Sequence, residues 1–461
     1  MDDAKVYGEA MAWFKKGEAL IGTDKENSEE QAGYFRKALS IKPDFLEAHY
    51  NLGLIYANQK RMAEAAAEFE SVLRLEPKFE GIHYLLASAH KEAGNLDGAI
   101  AALEAGIMQK PKDLQMLKAL AFLQGRTSRT SAAAKTMETI LGIDPTEAEA
   151  RMEYALVLHR SGEIDRAAAE YRELTKIDPK NYAAHFNLGL ILQQQRKNAE
   201  AAEQYRAALG LQPGNADLLE RLGDVLAIDG QHAGAVSAYQ EAAAKAPDRA
   251  WLFSKLGFSL AKVDRAAEAV VALENSVRLD PKNADAFYLL GDLYSELERF
   301  DESVSAYRTS LRIDPKQKDV HYNLGTLYAE REQFQDALPE LRAAVELDPS
   351  YAPAWSNLAL VSQRLDLDRE AIEAHEKVVA LGEAKAQNHF HLGILYAKTN
   401  RPDDAIENLG KAIELEPEKY RRILREELRK VHSVLDSVRY SAKFGRLLTG
   451  PPPSPEKTPE R

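Results

Sequence analysis

The chain has 461 residues, with 60 Lys and Arg against 72 Asp and Glu, a formal net charge of −12 and no cysteine. Acidic residues spread along the chain disfavour a nucleic-acid binder, which would show a basic stripe, and the lack of cysteine excludes disulfides, thiolate metal sites and cysteine nucleophiles. No stretch approaches the roughly 18 apolar residues of a membrane span, so no transmembrane segment is expected.

The N-terminal MDDAKVYGEAMAWF is acidic and lacks the apolar core of a signal peptide. Cytoplasm is the default expectation, and a mature secreted or periplasmic chain would look the same. Proline then recurs at a constant interval: Pro43, Pro77, Pro111, Pro145, Pro179, Pro213, Pro247, Pro281, Pro315 and Pro349 follow one another in even steps. Glu383 takes the next place, and Pro417 falls back on schedule. Counting each repeat so that its proline takes the thirty-second place, the eighth residue is always Gly or Ala from Gly53 to Gly393. The twentieth is Ala or Ser from Ala65 to Ala405, with large residues such as Phe69, Tyr171, Tyr205, Tyr239 and Tyr307 four places later. Tiny side chains at two fixed places predict two helices crossing closely, and the proline ends the second of them. In the first repeat Gly17 stands two places further from Pro43 than Gly53 does from Pro77, so GTDKENSEE is expected to lengthen the inter-helix turn by that amount.

This pattern resembles the tetratricopeptide repeat, most closely in HYNLGLIY (49–56), HFNLGLIL (185–192), HYNLGTLY (321–328) and HFHLGILY (389–396). The resemblance implies an all-α, right-handed superhelical solenoid of about twelve helix hairpins over residues 1–417. Residues 418–449 carry nine basic residues against four acidic ones up to 446, with Tyr420, Leu424, Leu428, Val431, Leu435 and Val438 at three- and four-residue steps. They are expected to form one amphipathic C-terminal capping helix, or a basic helix for a partner or an anionic membrane. PPPSPEKTPER, after Gly450, is expected as a disordered proline-rich tail.

No phosphate loop, H-E-x-x-H, nucleophile elbow or dinucleotide fingerprint occurs, so neither an enzyme nor a cofactor site is expected. His49, His83, His185, His321 and His389 all take the fourth place, where the family has tryptophan, and are expected to pack. His389 and His391 diverge on a helix, so a shared metal is not expected. QGRTSRTS (124–131) is an unusually basic, hydroxyl-rich turn, either plain surface or a phosphorylation or anion site.

In tetratricopeptide arrays the concave groove is lined by the second, fifth, sixth, ninth and twelfth or thirteenth residues of the first helices, and that geometry is what the resemblance implies here. A chaperone-tail clamp is missing, since the one fifth-place lysine, Lys118, has Phe122 as its ninth-place companion. A partial asparagine ladder, like that of the O-linked N-acetylglucosamine transferase arm, stands at Asn51, Asn187, Asn323 and Asn357. An amide can donate to a carbonyl and accept from an N–H of an extended peptide. Asp217, Glu220, Asp224, Asp285, Asp292, Asp319 and Glu330 make repeats seven to ten acidic there, beside Tyr288 and Tyr322. Repeats four and five instead bring Lys118, Arg126 and Arg160 beside Phe122 and Met152. The expected function is a protein-interaction scaffold that grips a partner or peptide with basic side chains. The expected peptide site is Tyr288, Asp292, Tyr322, Asn323, Asn357 and His391. A recruiting arm for a separate enzyme and a self-associating scaffold stay open as alternatives.

Overall fold

The structure is a computed structural model that describes residues 3–430 and 432–449. Among these residues there are 26 helices and no strand. Twenty-four of the helices pair as twelve successive hairpins. None of the described helices is long and apolar enough to cross a membrane.

Each repeat starts and stops its helices with local chemistry. The first helices of repeats four, six, seven and nine begin at Asp113, Asn181, Asn215 and Asn283, whose side chains accept the backbone N–H groups of Met116, Ala184, Leu218 and Ala286. Those caps satisfy donors that no helical carbonyl can reach. The second helices end at the residue before proline, forced into extended backbone: Asp144, Asp314 and Asp348 have φ of −129°, −131° and −139°.

The turn inside each hairpin is closed by a left-handed residue at the fifteenth place. Gly94, Gly162 and Gly230 supply it in three repeats, but Lys60, Ser128, Arg196, Asp264, Glu298, Glu332, Asp366 and Asn400 adopt it with φ of 57–60°. In repeat nine Glu298 N–H donates to the Ser295 carbonyl and Arg299 N–H to the Tyr294 carbonyl, which closes the helix end. The first repeat differs from the expected two-place extension. Its first helix, Asp3–Glu18, stops early, and residues 19–28 form the turn before the second helix, Glu29–Ile41. Gly22 and Asn27 take positive φ there, and Thr23 and Glu26 side chains bond the turn's own backbone.

Within a hairpin the eighth-place residue lies against the residue at the twenty-fourth place. A Cβ built on Gly53, Gly189, Gly223 or Gly291 would come within 2.4–2.6 Å of the Phe69, Tyr205, Tyr239 or Tyr307 ring. At Gly257 and Gly325 the carbonyls of the twentieth-place Ala269 and Ala337 also stand at 3.2 and 3.3 Å. Where the ring's hydroxyl has a partner, the eighth residue is glycine: Tyr205 donates to Gln193, Tyr239 to Asp224 and Tyr307 to Asp292. Repeat five has Ala155 at that place, and the buried Tyr171 hydroxyl finds no partner among the described residues.

The hairpins fall into two compact units, residues up to 213 and residues from 214 onward, and inside each unit a helix packs on its neighbours in sequence. In the first, an apolar core runs from Ala10 and Phe14 to Leu120 and Leu123. In the second, one core joins Tyr307 to Ala374 and another joins Ala371 to Phe444. Residues 418–449 are not the single helix expected. A helix covers Pro417–Glu427, turns follow, and a second helix covers Ala442–Thr449. Beyond the end of the first of these helices the Ser433 hydroxyl accepts the Leu435 N–H at 3.1 Å, a local bond that competes with helix. The fold-back buries Tyr420, Leu424, Leu435, Val438 and Phe444 with Leu409 and Ile413 of repeat twelve. Val431 and the proline-rich tail lie outside the described residues.

Two contrasts test these packing rules. Gly223→Ala should cost about 1–3 kcal/mol by pushing Tyr239 off Asp224, whereas Gly125→Ala, which meets nothing within 4 Å, should be neutral or stabilising. Thermal melts, with hydrogen exchange to localise the loss, measure both. Gly230→Ala should lose about 1–2 kcal/mol by placing a Cβ in the left-handed region, while Glu298→Gly should hold or gain stability. Equal melting shifts for the two would contradict the turn assignment.

Candidate functional site on the first-helix face

Fourth-place residues tie a repeat to the one before it. His49, His185 and His321 place Nε2 at 2.9, 3.2 and 3.2 Å from the carbonyls of Pro43, Pro179 and Pro315. Arg151 and Trp355 donate to the Pro145 and Pro349 carbonyls in the same way. The other ring nitrogen of His49 and His321 meets Glu68 and Glu340 at 2.6 Å. Burial works against charge on these rings, but the carboxylate bonds outweigh it and raise both pKa values. His389 bonds Asn408, while the His391 ring faces His375 instead, so the two histidines of the H-x-H point to different neighbours.

A second set of bonds links the first helices themselves. The ninth residue of one repeat meets the sixth of the next. Lys255 Nζ lies 2.8 Å from Asp224, Asn323 Nδ2 donates to Asp292 at 2.9 Å, and Asn357 Nδ2 donates to Thr326 Oγ1 at 2.8 Å. Spacing alone could have revealed these pairs, but they become meaningful only when adjacent first helices are known to lie side by side.

The bonds change how the expected acidic face must be understood. Lys255 also contacts Glu220 at 2.7 Å, and Arg249 pairs with Asp217, so in repeat seven the carboxylates are matched by Lys255 of repeat eight and by Arg249 at the cap just before its first helix. Asp292 is no free carboxylate either. It accepts from Tyr307 at 2.5 Å and from Asn323, and burial pushes its pKa up although those bonds pull it down. Asp285, Asp319 and Glu330 are not buried.

Of the six expected site residues, the structure brings Tyr288, Asp292 and Asn323 together, with the Tyr288 hydroxyl 3.5 Å from Asn323 Nδ2. Asp292, Ser295, Asn323, Thr326 and Glu330 line one open pocket above Tyr307. Tyr322 stands apart from that cluster, its ring 5.1 Å from Tyr351 in edge contact. Asn357 joins through Thr326, which lines the same pocket. His391 belongs elsewhere: it stacks on His375 at 5.9 Å, with Phe390 against its edge.

His375 occupies the twenty-fourth place of repeat eleven, where repeats seven and nine have a tyrosine bonded to a ninth-place aspartate. Here the ninth residue is Leu360, and neither nitrogen of the buried His375 finds a partner among the described residues. Burial first, and the facing His391 second, push its pKa down to about 4; burial and Arg364 lower that of His391. A histidine depressed in the fold is protonated in the unfolded chain first, so stability is complete above pH 6.5 and falls as pH drops toward 4. The loss is on the order of 3 kcal/mol for a shift of this size. His49 and His321 act with the opposite sign, contributing stability below their unfolded pKa that is lost as pH rises through the folded value. His375→Leu should therefore flatten the acid-side loss of protection in the helix Ala386–Lys398 and change little at pH 8. Hydrogen exchange at pH 4.5 and 8 checks it, and an unaltered acid response in the variant would refute the assignment.

Tetratricopeptide repeat family models match residues 56–121, residues 24–78 and 186–250, and residues 318–351 and 386–419. A TPR repeat model matches residues 155–196 and 291–331, and together these segments exceed half of the chain. No curated protein matches it. Similar solved structures include the crystal structure of YrrB, a TPR protein with an unusual peptide-binding site. It is 22% identical over 40% of this chain and 96% of its own, with a TM-score of 0.37. The Naa15/Naa10 structure bound to HypK-THB is 16% identical, covers 87% of this chain and 68% of that one, and has a TM-score of 0.44. MamA from Desulfovibrio magneticus RS-1 is 25% identical over 37% of this chain and 96% of its own, at a TM-score of 0.33. With twelve helix hairpins on one constant period and repeat matches along its length, the chain belongs to the tetratricopeptide repeat family.

Proposed function

We propose that the protein is a binding scaffold that takes an extended polypeptide along the first helices of repeats nine to eleven. The observation that carries this reading is the state of two amides. Asn323 and Asn357 each spend an N–H on the preceding repeat, which fixes their orientation, while their carbonyl oxygens take no hydrogen bond from the described residues. An oriented amide oxygen suits a peptide N–H, and a pre-ordered side chain loses little entropy on binding. Tyr288 and Tyr322 offer ring surface beside them, and the solvent-facing Asp285, Asp319 and Glu330 favour basic side chains on the ligand. His391, packed on His375, supports this site from the next repeat rather than lining it. Residues 417–449 act as the closing element of repeat twelve, since they cover its apolar side chains. Tetratricopeptide arrays are typically non-catalytic, which supports the scaffold reading.

Asn323→Ala combined with Asn357→Ala should weaken a partner recovered from native lysate by about 0.5–1.5 kcal/mol for each hydrogen bond lost. Asp285→Lys with Asp319→Lys should slow association most at low salt, because exposed charges act at long range. Asp292 is a poor choice for that test, since a lysine there would strand Tyr307. Unchanged affinity in both double variants, measured by titration calorimetry beside a Glu302→Ala control on a second helix, would move the site elsewhere.

A further inference from the structure

At one junction of the first unit both members of this ninth-to-sixth pair are small. The ninth residue of repeat three is Ser88 and the sixth of repeat four is Ala119, so neither can reach across as Asp292 and Asn323 do. Beneath them the twenty-fourth place of repeat three holds Leu103, which has no hydroxyl to bring a polar group into the space. What is left is a hollow of about 150 Å³, floored by the buried Leu103 and walled by Tyr84, Phe122, Ser88, Ala119 and Lys91. Its surface is mostly carbon.

Two features of the hollow bear on what it takes. Phe122 and Tyr84 are large rings left 57% and 36% exposed at its rim, at the ninth and fifth places of their helices. An apolar cavity of roughly 150 Å³ holds a benzene-sized group, which is the size of a Leu, Ile, Met or Phe side chain. The rim is also basic. The Arg126 guanidinium lies 5.8 Å from the Phe122 ring centre and makes no ion pair among the described residues. Among the described residues Lys91 pairs only with its neighbour Glu92, at an exposed site where such a bond is worth little. Lys118 is set apart from this rim's free charge, because it is paired with Glu147.

We propose that this hollow is a socket for one large apolar side chain of an extended peptide whose flanking residues are acidic. The apolar side chain displaces water from Leu103 and the two rings, and the flanking carboxylates meet Arg126 and Lys91. The socket lies within the first unit and does not depend on the reading given to repeats nine to eleven. Its ligand preference has the opposite charge.

The test uses the full chain and three fluorescein-labelled peptides: Gly-Ser-Asp-Glu-Leu-Asp-Glu-Ser-Gly, the same peptide with Ala for Leu, and the same with Lys for every Asp and Glu. Fluorescence anisotropy should show the acidic leucine peptide binding at least tenfold more tightly than either other peptide. Ser88→Leu, which fills the hollow, should abolish that preference for leucine over alanine. Arg126→Glu, an exposed change that leaves the core untouched, should reduce the preference for acidic over basic flanks at least threefold and leave the leucine preference in place. Asn323→Ala with Asn357→Ala should have no effect on these peptides, which separates this site from the other. No discrimination between leucine and alanine peptides, or a Ser88→Leu protein that binds like the wild type, overturns the proposal.

Discussion

The contact between the eighth and twenty-fourth residues governs every hairpin in this chain. With glycine at the eighth place, the second helix can bring a full aromatic ring against the first helix's backbone, and the ring then reaches through to the exposed face. Tyr239 and Tyr307 do so, and their hydroxyls hold Asp224 and Asp292 in place. Those carboxylates in turn receive Lys255 and Asn323 from the following repeat. One missing Cβ thus sets the separation of two helices, the position of a ring and the orientation of a polar group on the surface. Burying a ring next to a bonded hydroxyl also leaves no orphaned donor in the core, which would cost roughly 1–3 kcal/mol.

Most of the helical framework was legible because it rests on short-range rules repeated many times. Prolines at constant spacing, small residues at two places and an apolar stripe between them permit few other arrangements. The turn at the fifteenth place was not legible, because Lys60, Arg196 and Glu332 are poor markers of left-handed backbone; the Schellman-type bonding around them imposes it. The break after Glu427 was hidden for a different reason. Leu424, Leu428, Leu435 and Val438 keep helical spacing across it, so periodicity suggests one helix, while the fold-back buries Phe444 with the apolar residues of repeat twelve.

The site was legible in composition and not in pairing. Tyr288, Asp292 and Asn323 do meet, but the acidic character assigned to repeats seven to ten was overstated, since Lys255 and Arg249 lie opposite Glu220, Asp224 and Asp217. Counting charges on one face ignores that the first helix of repeat eight brings Lys255 to the carboxylates of repeat seven. The surroundings of His391 were hidden for a similar reason: its stacking partner comes from the twenty-fourth place of the preceding repeat, which a reading of first-helix positions does not include. In repeat eleven that residue is His375, whose ring stacks on His391 at 5.9 Å.

At the junctions described above this pair of positions takes three states, while elsewhere a large apolar residue such as Leu54 or Phe258 stands at the ninth place. Lys255 with Asp224 is closed: both charges are spent, and the face offers little beyond the aromatic edge of Trp251. Asn323 with Asp292 and Asn357 with Thr326 are half open, since one side of each amide is fixed and its oxygen takes no hydrogen bond from the described residues. Ser88 with Ala119 is empty, and the space becomes a hollow between rings. Helices and turns are nearly identical in the three cases, so backbone geometry cannot distinguish them. On the binding role proposed above, selectivity would come from where the inter-helix bond is incomplete, because a residue that has satisfied its neighbour has nothing left to offer a ligand.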